Sequence, residues 1–575
     1  MAGQSRKWMI LVAVIWIQAF TGTNFDFSAY SSTFKSVLKI SQVQLNYLAT
    51  ANDLGKVFGW SSGLALMYLP PSLVMFISAF MGFIGYGLQW LLINNFITLP
   101  YFLVFLLCLL GGCSICWFNT VCFVVCIRNF PVNRPLALSL TVSYNGVSAA
   151  LYTLAATSID PSSDAVYLLL NALVPLLISF VALVPILRQP PLEPLRPYTA
   201  RKNSLNFLIL NILAIFTGIY LLVFGSSASN ENTARLYFGG ATLLLISPLC
   251  IPGIIYARDW FHRAVHSNIR VENSGFILVH VDDLELHKEL LTRQNSIVSN
   301  GEGHNLLSDN GSMLRAKSSG VCCEGLLDWD QLAMLGEDHP AGVLVTRLDF
   351  WLYYVAYFCG GTIGLVYSNN LGQIAQSLGF HSNISTLVTL YSSFSFFGRL
   401  LSAGPDYIRN KFYFARTGWL TIALIPTPIA FIMLAASDSA VAVYTGTALI
   451  GLSSGFIFAA TVSVTSELFG PNSFSVNHNI LITNIPIGSL LYGYLAAVVY
   501  DANAYSVPGN MMPNSPVCMG RQCYFWTFVV WACVSILGLA STTVEAETDS
   551  PWHPLKPGKE ILVKFLPDLL IFITC

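Results

Sequence analysis

Charged residues are what this sequence has least of. Only 10% of its 575 residues are Asp, Glu, Lys or Arg, and the formal net charge is −1, whereas soluble domains carry about 25% charged residues. A balance so close to neutral gives no electrostatic footprint for nucleic acid. We therefore predict no nucleic-acid partner.

The motifs of common enzymes are also missing. The sequence contains no phosphate-binding Gly-rich loop with its Lys, no cluster with metal-ligand spacing and no G-x-S-x-G turn. We predict no enzyme activity, no cofactor and no metal. The 13 cysteines do not form the pattern of a disulfide framework, with one exception. Cys518 and Cys523 end a polar loop, where a disulfide is plausible if that loop is non-cytosolic.

Apolar residues dominate instead, at 54% of the chain, and the mean hydropathy is +0.63. Apolar runs of about 20 residues recur, each long enough to cross a bilayer as a helix. The sequence predicts an all-α polytopic membrane protein with about 14 spans in the lipid bilayer. Lys and Arg concentrate on one side of the short loops, which predicts cytosolic termini.

The predicted spans divide into groups of six, two and six. The first and last groups have a similar outline, and parallel six-span halves build one large class of transporters. The predicted regions are an N-terminal bundle (1–187), a cytosolic linker (188–204), two additional spans (205–256), a largely disordered cytosolic loop (257–348), a C-terminal bundle (349–541) and a cytosolic tail (542–575).

Two opposite charges lie inside the second span, in "ATANDLGKVFGWSSG" (49–63). Asp53 and Lys56 are about one helical turn apart and can interact on one side of the helix. They can form a structural pair along a helix seam with Gly55 and Gly59. Alternatively, Lys56 holds an anionic substrate or closes an outer gate, or the two residues relay a proton. All three hypotheses remain open at this point.

Other polar residues in the spans are candidates for a substrate pathway, because polar groups are costly in a membrane. Asn24 and Asp26 lie near the outer end of the first span, where Asp26 is either a cavity residue or an interfacial acid. Tyr144 and Asn145 lie in the fifth span and can bind a ligand. The small residues beside them are more often a sign of close helix packing.

A further charged segment, "FFGRLLSAGPDYIRNK" (396–411), ends the tenth span on the cytosolic side. Arg399 and Asp406 are separated by a Gly-Pro step, so an Arg–carboxylate clamp between helix ends is one hypothesis. Solvated loop charges are the other. We take Gly398, Arg399 and Asp406 as candidate gating residues.

Several segments together resemble one family. The stretches "LATANDLGKVFGWSSG" (48–63), "YARDWFHR" (256–263), "GEDHPAG" (336–342), "FFGRLLSAGPDYI" (396–408) and "SELFGPNSFSVNHN" (466–479) resemble the plant nodulin-like proteins of the major facilitator superfamily, including the nuclear-fusion-defective type. The resemblance implies two six-helix bundles. It also implies that Arg399 and Asp406 belong to the conformational clamp of that superfamily.

The leading hypothesis is a secondary transporter of a small solute, working by alternating access. A small organic anion with protons as the coupling ion is the specific form, suggested by Lys56. The alternative is a non-transporting membrane sensor or scaffold that signals through the long cytosolic loop. The plasma membrane and the vacuolar membrane both fit the sequence.

Overall fold

The computed structural model of the protein describes residues 2–187, 197–225, 230–267, 339–380, 383–408, 416–471, 473–504 and 518–548. Residues 188–196 of the predicted linker, residues 268–338 of the predicted disordered loop and the tail after residue 548 lie outside these ranges. The membrane helices belong to one compact unit, Met1–Tyr256 with Ala333–Cys575.

The N-terminal half is built from helices alone in its described residues. The helices are α1 Ala2–Thr21, α2 Phe27–Leu38, α3 Gln42–Gly55, α4 Gly59–Tyr68, α5 Pro71–Ile93, α6 Tyr101–Asn129, α7 Arg134–Gly146, α8 Ser148–Ile159 and α9 Ala165–Leu187. Prolines in the first turns of α5 and α7 fix the backbone there, where a missing N–H leaves no partner unsatisfied.

The rest of the described chain is helical as well. Two helical segments connect the halves. The first is α10 Pro197–Gly225, and the second consists of α11 Glu231–Ile246 followed by α12 Cys250–Ser267. The C-terminal half contains α13 Ala341–Leu344, α14 Leu348–Tyr357, α15 Ile363–Ser377, α16 Ile384–Leu401, α17 Gly404–Ile408, α18 Arg416–Leu424, α19 Pro426–Ala436, α20 Ala440–Leu468, α21 Phe474–Ile482, α22 Asn484–Ala502 and α23 Phe525–Thr548.

Ten helices in the described part of the chain are long and apolar enough to cross a membrane. Four predicted spans fall on helices outside that set: α1 with α2, α3 with α4, α7 with α8, and α16. Breaks and polar residues shorten their apolar runs, so the count of about 14 stays a prediction. A 3₁₀ turn at Lys56–Phe58 separates α3 from α4, and a π-helical turn at Phe358–Thr362 separates α14 from α15.

Glycines let two pairs of helices approach until their backbones touch. A Cβ atom at Gly112 of α6 would lie 1.7 Å from the carbonyl oxygen of Asn52 in α3. A Cβ atom at Gly398 of α16 would lie 2.0 Å from the carbonyl oxygen of Leu452 in α20. No side chain larger than hydrogen fits at either place, which is how small residues direct packing in membrane bundles.

Helix α10 lies against both halves. Its Gly218 packs on Phe396 of α16, and the Nδ2 of Asn211 donates to the hydroxyl of Tyr407 at 2.6 Å. Helix α11 packs on α8 of the N-terminal half. Large apolar side chains such as Leu205 and Phe216 remain exposed on α10. An exposed apolar face of this kind suits contact with lipid.

Candidate functional site

A cavity separates the two bundles near the middle of their helices. It offers about 80 Å³ to the centres of water molecules. Its walls come from α1, α6 and α7 in one half and from α14, α15, α16, α20, α21 and α22 in the other. The lining residues are Gln18, Asn24, Phe25, Lys56, Ile115, Asn119, Phe123, Val142, Asn145, Tyr357, Leu365, Arg399, Phe458, Val462, His478, Ile482 and Ile485.

The 3₁₀ turn after α3 brings Lys56 to the cavity. The Nζ of Lys56 donates to Oδ1 of Asp53 at 2.5 Å, and the two side chains are 9% and 2% exposed. The other carboxylate oxygen, Oδ2, accepts from the Nδ2 of Asn369 at 3.3 Å and from the hydroxyl of Ser489. Asp53 therefore joins a cavity cation in one half to neutral donors in the other half.

The same turn is held against its neighbours by glycine contacts. A Cβ atom at Gly55 would lie 2.1 Å from the carbonyl oxygen of Leu109, and one at Gly59 would lie 2.2 Å from Sγ of Cys116. The seam with Gly55 and Gly59 and the cavity contact of Lys56 thus occur together. The two hypotheses drawn from the sequence do not exclude each other.

Arg399 of α16 is the second cation in the cavity wall. Its Nη1 donates to the carbonyl oxygen of Val142 at 3.1 Å and to Oδ1 of Asn145 at 3.0 Å. Its guanidinium lies 5.1 Å from the ring centroid of Phe25 and 5.3 Å from that of Phe458. Such stacking stabilises a guanidinium without neutralising its charge. Arg399 forms no ion pair within the described residues, and its Nε has no hydrogen-bond partner there.

Amide and imidazole groups complete the polar wall. The Nε2 of Gln18 donates to the Oδ1 of Asn119 at 3.1 Å. His478 stacks on Phe474 with the rings 5.2 Å apart and contacts Phe123 at 5.7 Å. These groups can donate or accept according to the solute that enters.

Three of the predicted pathway residues, Asp26, Asp53 and Tyr144, lie off the cavity wall. Tyr144 is buried behind it and packs edge-on against Phe396 at 5.7 Å. Asp26 is fully buried among helices of the N-terminal half, where its Oδ1 accepts from the Nδ2 of Asn171 at 3.2 Å. Asn24 and Asn145 do line the cavity.

The proposed gating residues have separate surroundings. Gly398 lies at the close crossing of α16 and α20, whereas Arg399 points to the cavity. No ion pair joins Arg399 to Asp406 in the part of the chain that the structure describes. The clamp between these two residues, which the resemblance implies, is therefore not formed in this conformation. Asp406 lies in the short helix α17 that follows.

Contacts between the halves close the cavity on the predicted outer side. There the Nδ2 of Asn46 donates to the carbonyl oxygen of Gly493 at 3.1 Å, and the Nε2 of Gln373 donates to the hydroxyl of Ser31 at 2.9 Å. The Asp53 contacts with Asn369 and Ser489 lie on the same side. These bonds tie α2 and α3 to α15 and α22.

A second group of contacts closes the cavity on the predicted inner side. The hydroxyls of Ser139 and Ser402 lie 2.7 Å apart, and the rings of Phe123 and Phe474 are 6.2 Å apart. The cavity thus has a contact layer on each side, with Lys56 and Arg399 between them. Away from it, the structure joins Cys518 and Cys523 by a disulfide.

Sequence reasoning assigned no pathway role to several residues of this wall. Gln18, Asn119 and His478 are polar residues within apolar runs, and that pattern was a usable signal. Phe25 and Phe458 carried no signal, because aromatic residues are common throughout the spans. For Arg399 the sequence indicates either a clamp or a solvated loop charge, and no place in a cavity.

Comparison with known proteins supports the resemblance found in the sequence. The sequence model of the family described as Nodulin-like matches residues 7–253, and the model described as NFD4, C-terminal domain, matches residues 335–549. Protein NUCLEAR FUSION DEFECTIVE 4 of Arabidopsis thaliana is 57% identical over 572 residues, which cover 99% of this chain and 93% of that protein. The predicted resemblance is confirmed.

More distant similarities concern parts of the chain or the fold alone. Probable transporter MCH1 of Yarrowia lipolytica is 27% identical over 208 residues, covering 34% of this chain and 42% of that protein. A structure of the xylose transporter XylE from E. coli, in a partially occluded inward open conformation, aligns with a TM-score of 0.50 and 10% identity. The alignment covers 95% of this chain and 99% of XylE. The predicted all-α membrane fold of the major facilitator type is confirmed.

Proposed function

Because this chain belongs to the nodulin-like family of the major facilitator superfamily, we propose that it is a secondary transporter that moves a small organic anion through the central cavity. Alternating access is the proposed mechanism, with each contact layer opening in turn. The similarity to a probable transporter and to a sugar transporter supports transport in general.

The charge of the cavity wall is the observation that carries the proposal for an anion. Lys56 is already neutralised by Asp53, whereas Arg399 has no carboxylate partner among the described residues. No Asp or Glu is among the residues lining the described cavity. A cation held in a largely apolar wall attracts an anion strongly, because little water screens it. One uncompensated positive charge fits a singly charged solute.

The size of the cavity supports a small solute. A buried water needs about 10–15 Å³ of such volume, and the cavity's 80 Å³ exceeds that threshold several-fold. A carboxylate with a short carbon chain fits this space. The planar guanidinium of Arg399 presents donors that match a carboxylate, while Phe25 and Phe458 offer apolar surface to its carbon atoms.

The position of Asp53 links binding to gating. Its Oδ1 holds the cavity cation Lys56, and its Oδ2 holds Asn369 and Ser489 of the other half. Opening the outer side requires these last two bonds to break. An anion that draws Lys56 away from Asp53 changes the charge felt by the outer contact layer. The Asp53 carboxylate therefore connects the substrate-facing Lys56 to the outer contact layer.

Uptake by the full-length protein in proteoliposomes tests the proposal. A panel of radiolabelled small carboxylates, sugars and amines is offered to wild-type, Arg399→Gln and Arg128→Gln proteins. Arg128 is an exposed residue at the end of α6 and serves as the matched control. We expect uptake of at least one singly charged carboxylate, loss of uptake in Arg399→Gln and unchanged uptake in Arg128→Gln.

Other results would contradict parts of the proposal. Uptake of neutral or cationic solutes alone would refute the anion assignment. Unchanged transport kinetics in Lys56→Gln would remove Lys56 from the pathway. Absence of uptake across the panel, with correctly inserted protein, would favour the sensor or scaffold hypothesis.

A further inference from the structure

A second buried acid, Asp26, lies outside the central cavity and has no role in the mechanism above. It precedes the first turn of α2, and its side chain makes no capping bond there. The residue is 0% exposed. Its Oδ1 accepts from Asn171, while its Oδ2 has no hydrogen-bond partner in the described residues. No Lys, Arg or His forms an ion pair with it there.

The groups that face Asp26 are neutral. Four phenols interact with it electrostatically: Tyr30 of α2, Tyr86 of α5, Tyr152 of α8 and Tyr167 of α9. The hydroxyl of Tyr86 accepts from Thr23, and that of Tyr152 donates to the carbonyl oxygen of Phe20. An ionised carboxylate in such surroundings would be an uncompensated charge, which is very unfavourable in a membrane interior.

A small chamber is lined by Asn171 and Tyr86, two neighbours of this acid, whereas Asp26 itself is not in its lining. It has room for one water molecule, at about 10 Å³, and its polar lining residues are Thr21, Thr23, Tyr86, Ser114 and Asn171. The Oγ1 of Thr21 and the Oδ1 of Asn171 are buried and have no partner in the described residues. In proteins, buried oxygens of this kind are satisfied by water.

The chamber adjoins the central cavity. Ile115 of α6 lines both spaces. Asn24 and Phe25, the two residues directly before Asp26, line the central cavity as well. A change at the α1–α2 connection therefore reaches both the acid and the solute site.

We propose that Asp26 is a proton-binding site of the N-terminal half and that it is separate from the solute site. In the closed conformation the Asp26 carboxyl carries a proton. A hydronium ion that arrives by way of the chamber transfers its proton to Oδ2, an O–H bond forms there, and one water molecule remains. Release to water on the other side reverses this step. The coupling of this proton to solute movement rests on the proposed transport function, whereas the protonation of Asp26 does not.

Infrared spectroscopy of the full-length protein in lipid tests the protonation directly. A protonated carboxyl has a C=O stretching band that a carboxylate lacks. At neutral pH we expect the wild-type spectrum minus the Asp26→Asn spectrum to show this band. The difference with Asp438→Asn, an exposed acid between α19 and α20, should show none. Absence of the band in the Asp26→Asn difference would overturn the proposal.

A second variant keeps the test decisive if Asp26→Asn does not fold. Asn171→Ala removes the one side-chain donor to Asp26 in the described residues, so the same band should shift in frequency and remain present. An unchanged band frequency would place the signal on another acid and overturn the proposal. A rise in unfolding temperature that requires Na⁺ and Asp26, with no C=O band, would overturn it by identifying a bound cation.

Transport measurements test the coupling separately. For a carboxylate that wild-type protein takes up, we expect Asp26→Asn to exchange internal for external solute at the wild-type rate. Accumulation driven by a pH gradient should be lost. Accumulation that survives in Asp26→Asn would refute the coupling role. If wild-type protein moves no solute but shows the band, transport fails and the proton site stands.

Discussion

The Asp53–Lys56 pair makes a quantitative prediction, because the chain also contains an exposed pair for comparison. Asp53 is the one hydrogen-bond acceptor of Lys56 in the described residues. Asp53→Asn would leave a buried ammonium without a counter-charge. Removing one partner of a buried pair destabilises proteins by about 3–5 kcal/mol. We expect Asp53→Asn to lower the free energy of unfolding by that amount.

Substitution of the other partner, Lys56, should lower the free energy of unfolding by less. In Lys56→Gln, Asp53 keeps its hydrogen bonds from Asn369 and Ser489. A hydrogen bond to a charged group contributes about 1.5–3 kcal/mol. Lys56→Gln should therefore destabilise the protein by at least about 1.5 kcal/mol less than Asp53→Asn does. The variant with both substitutions should be more stable than the sum of the single effects implies, since neither charge is left alone.

Reversible unfolding in mixed lipid–detergent micelles measures all four proteins of this double-mutant cycle. The control cycle uses Glu231 and Arg235 of α11, whose side chains are 45% and 59% exposed. Exposed pairs contribute about 0–1 kcal/mol, so the control coupling should be small. Additive effects at Asp53 and Lys56, or equal coupling in the two cycles, would refute the view that this pair is a buried, mutually neutralised unit.

Three more predictions follow from single contacts. Gly112→Ala should lower the free energy of unfolding by about 1–3 kcal/mol or more, because its Cβ would collide with the α3 backbone. Gly239→Ala in α11, where a Cβ meets nothing within 4 Å, should leave the free energy of unfolding unchanged, and equal effects of the two substitutions would contradict the close-approach argument. Ser489→Ala should raise the labelling of an Asn24→Cys cavity reporter by an impermeant maleimide roughly tenfold, because a bond across the outer contact layer is lost; unchanged labelling would exclude Ser489 from outer closure. Arg399→Lys should lower carboxylate uptake about tenfold despite keeping the charge, because an ammonium does not reproduce the flat stacking and directed donors of a guanidinium; wild-type uptake would show that charge alone suffices.

The membrane class and the general architecture could be predicted from the sequence because both depend on local composition. Apolar runs with scarce charges require helices, since a helix satisfies its own backbone hydrogen bonds within the bilayer. The number of spans was harder to establish. Where Lys56–Phe58 or Val147 interrupts a helix, the local geometry depends on neighbours such as α6 rather than on the apolar run itself.

The candidate site, too, could be predicted from the sequence only in part. Asp53 and Lys56 are three residues apart in the sequence, so helical geometry alone brings the two charges together. The partners of Arg399 could not be read from its surroundings in sequence, because Val142 and Asn145 are more than 250 residues away. Its place in the cavity rather than in a clamp follows from those distant contacts.

The amino-acid sequence was enough to predict that this protein is helical, crosses a membrane and belongs to its family, because hydrophobic length and ordered motifs are properties of neighbouring residues. Which polar groups share a space became known only from the folded arrangement of the helices. That arrangement puts Asn24, Lys56, Asn145 and Arg399 on one cavity wall and buries Asp26 elsewhere. Those choices arise from backbones that meet at glycine crossings such as Gly112 and Gly398, and such long-range approaches leave no period in the sequence.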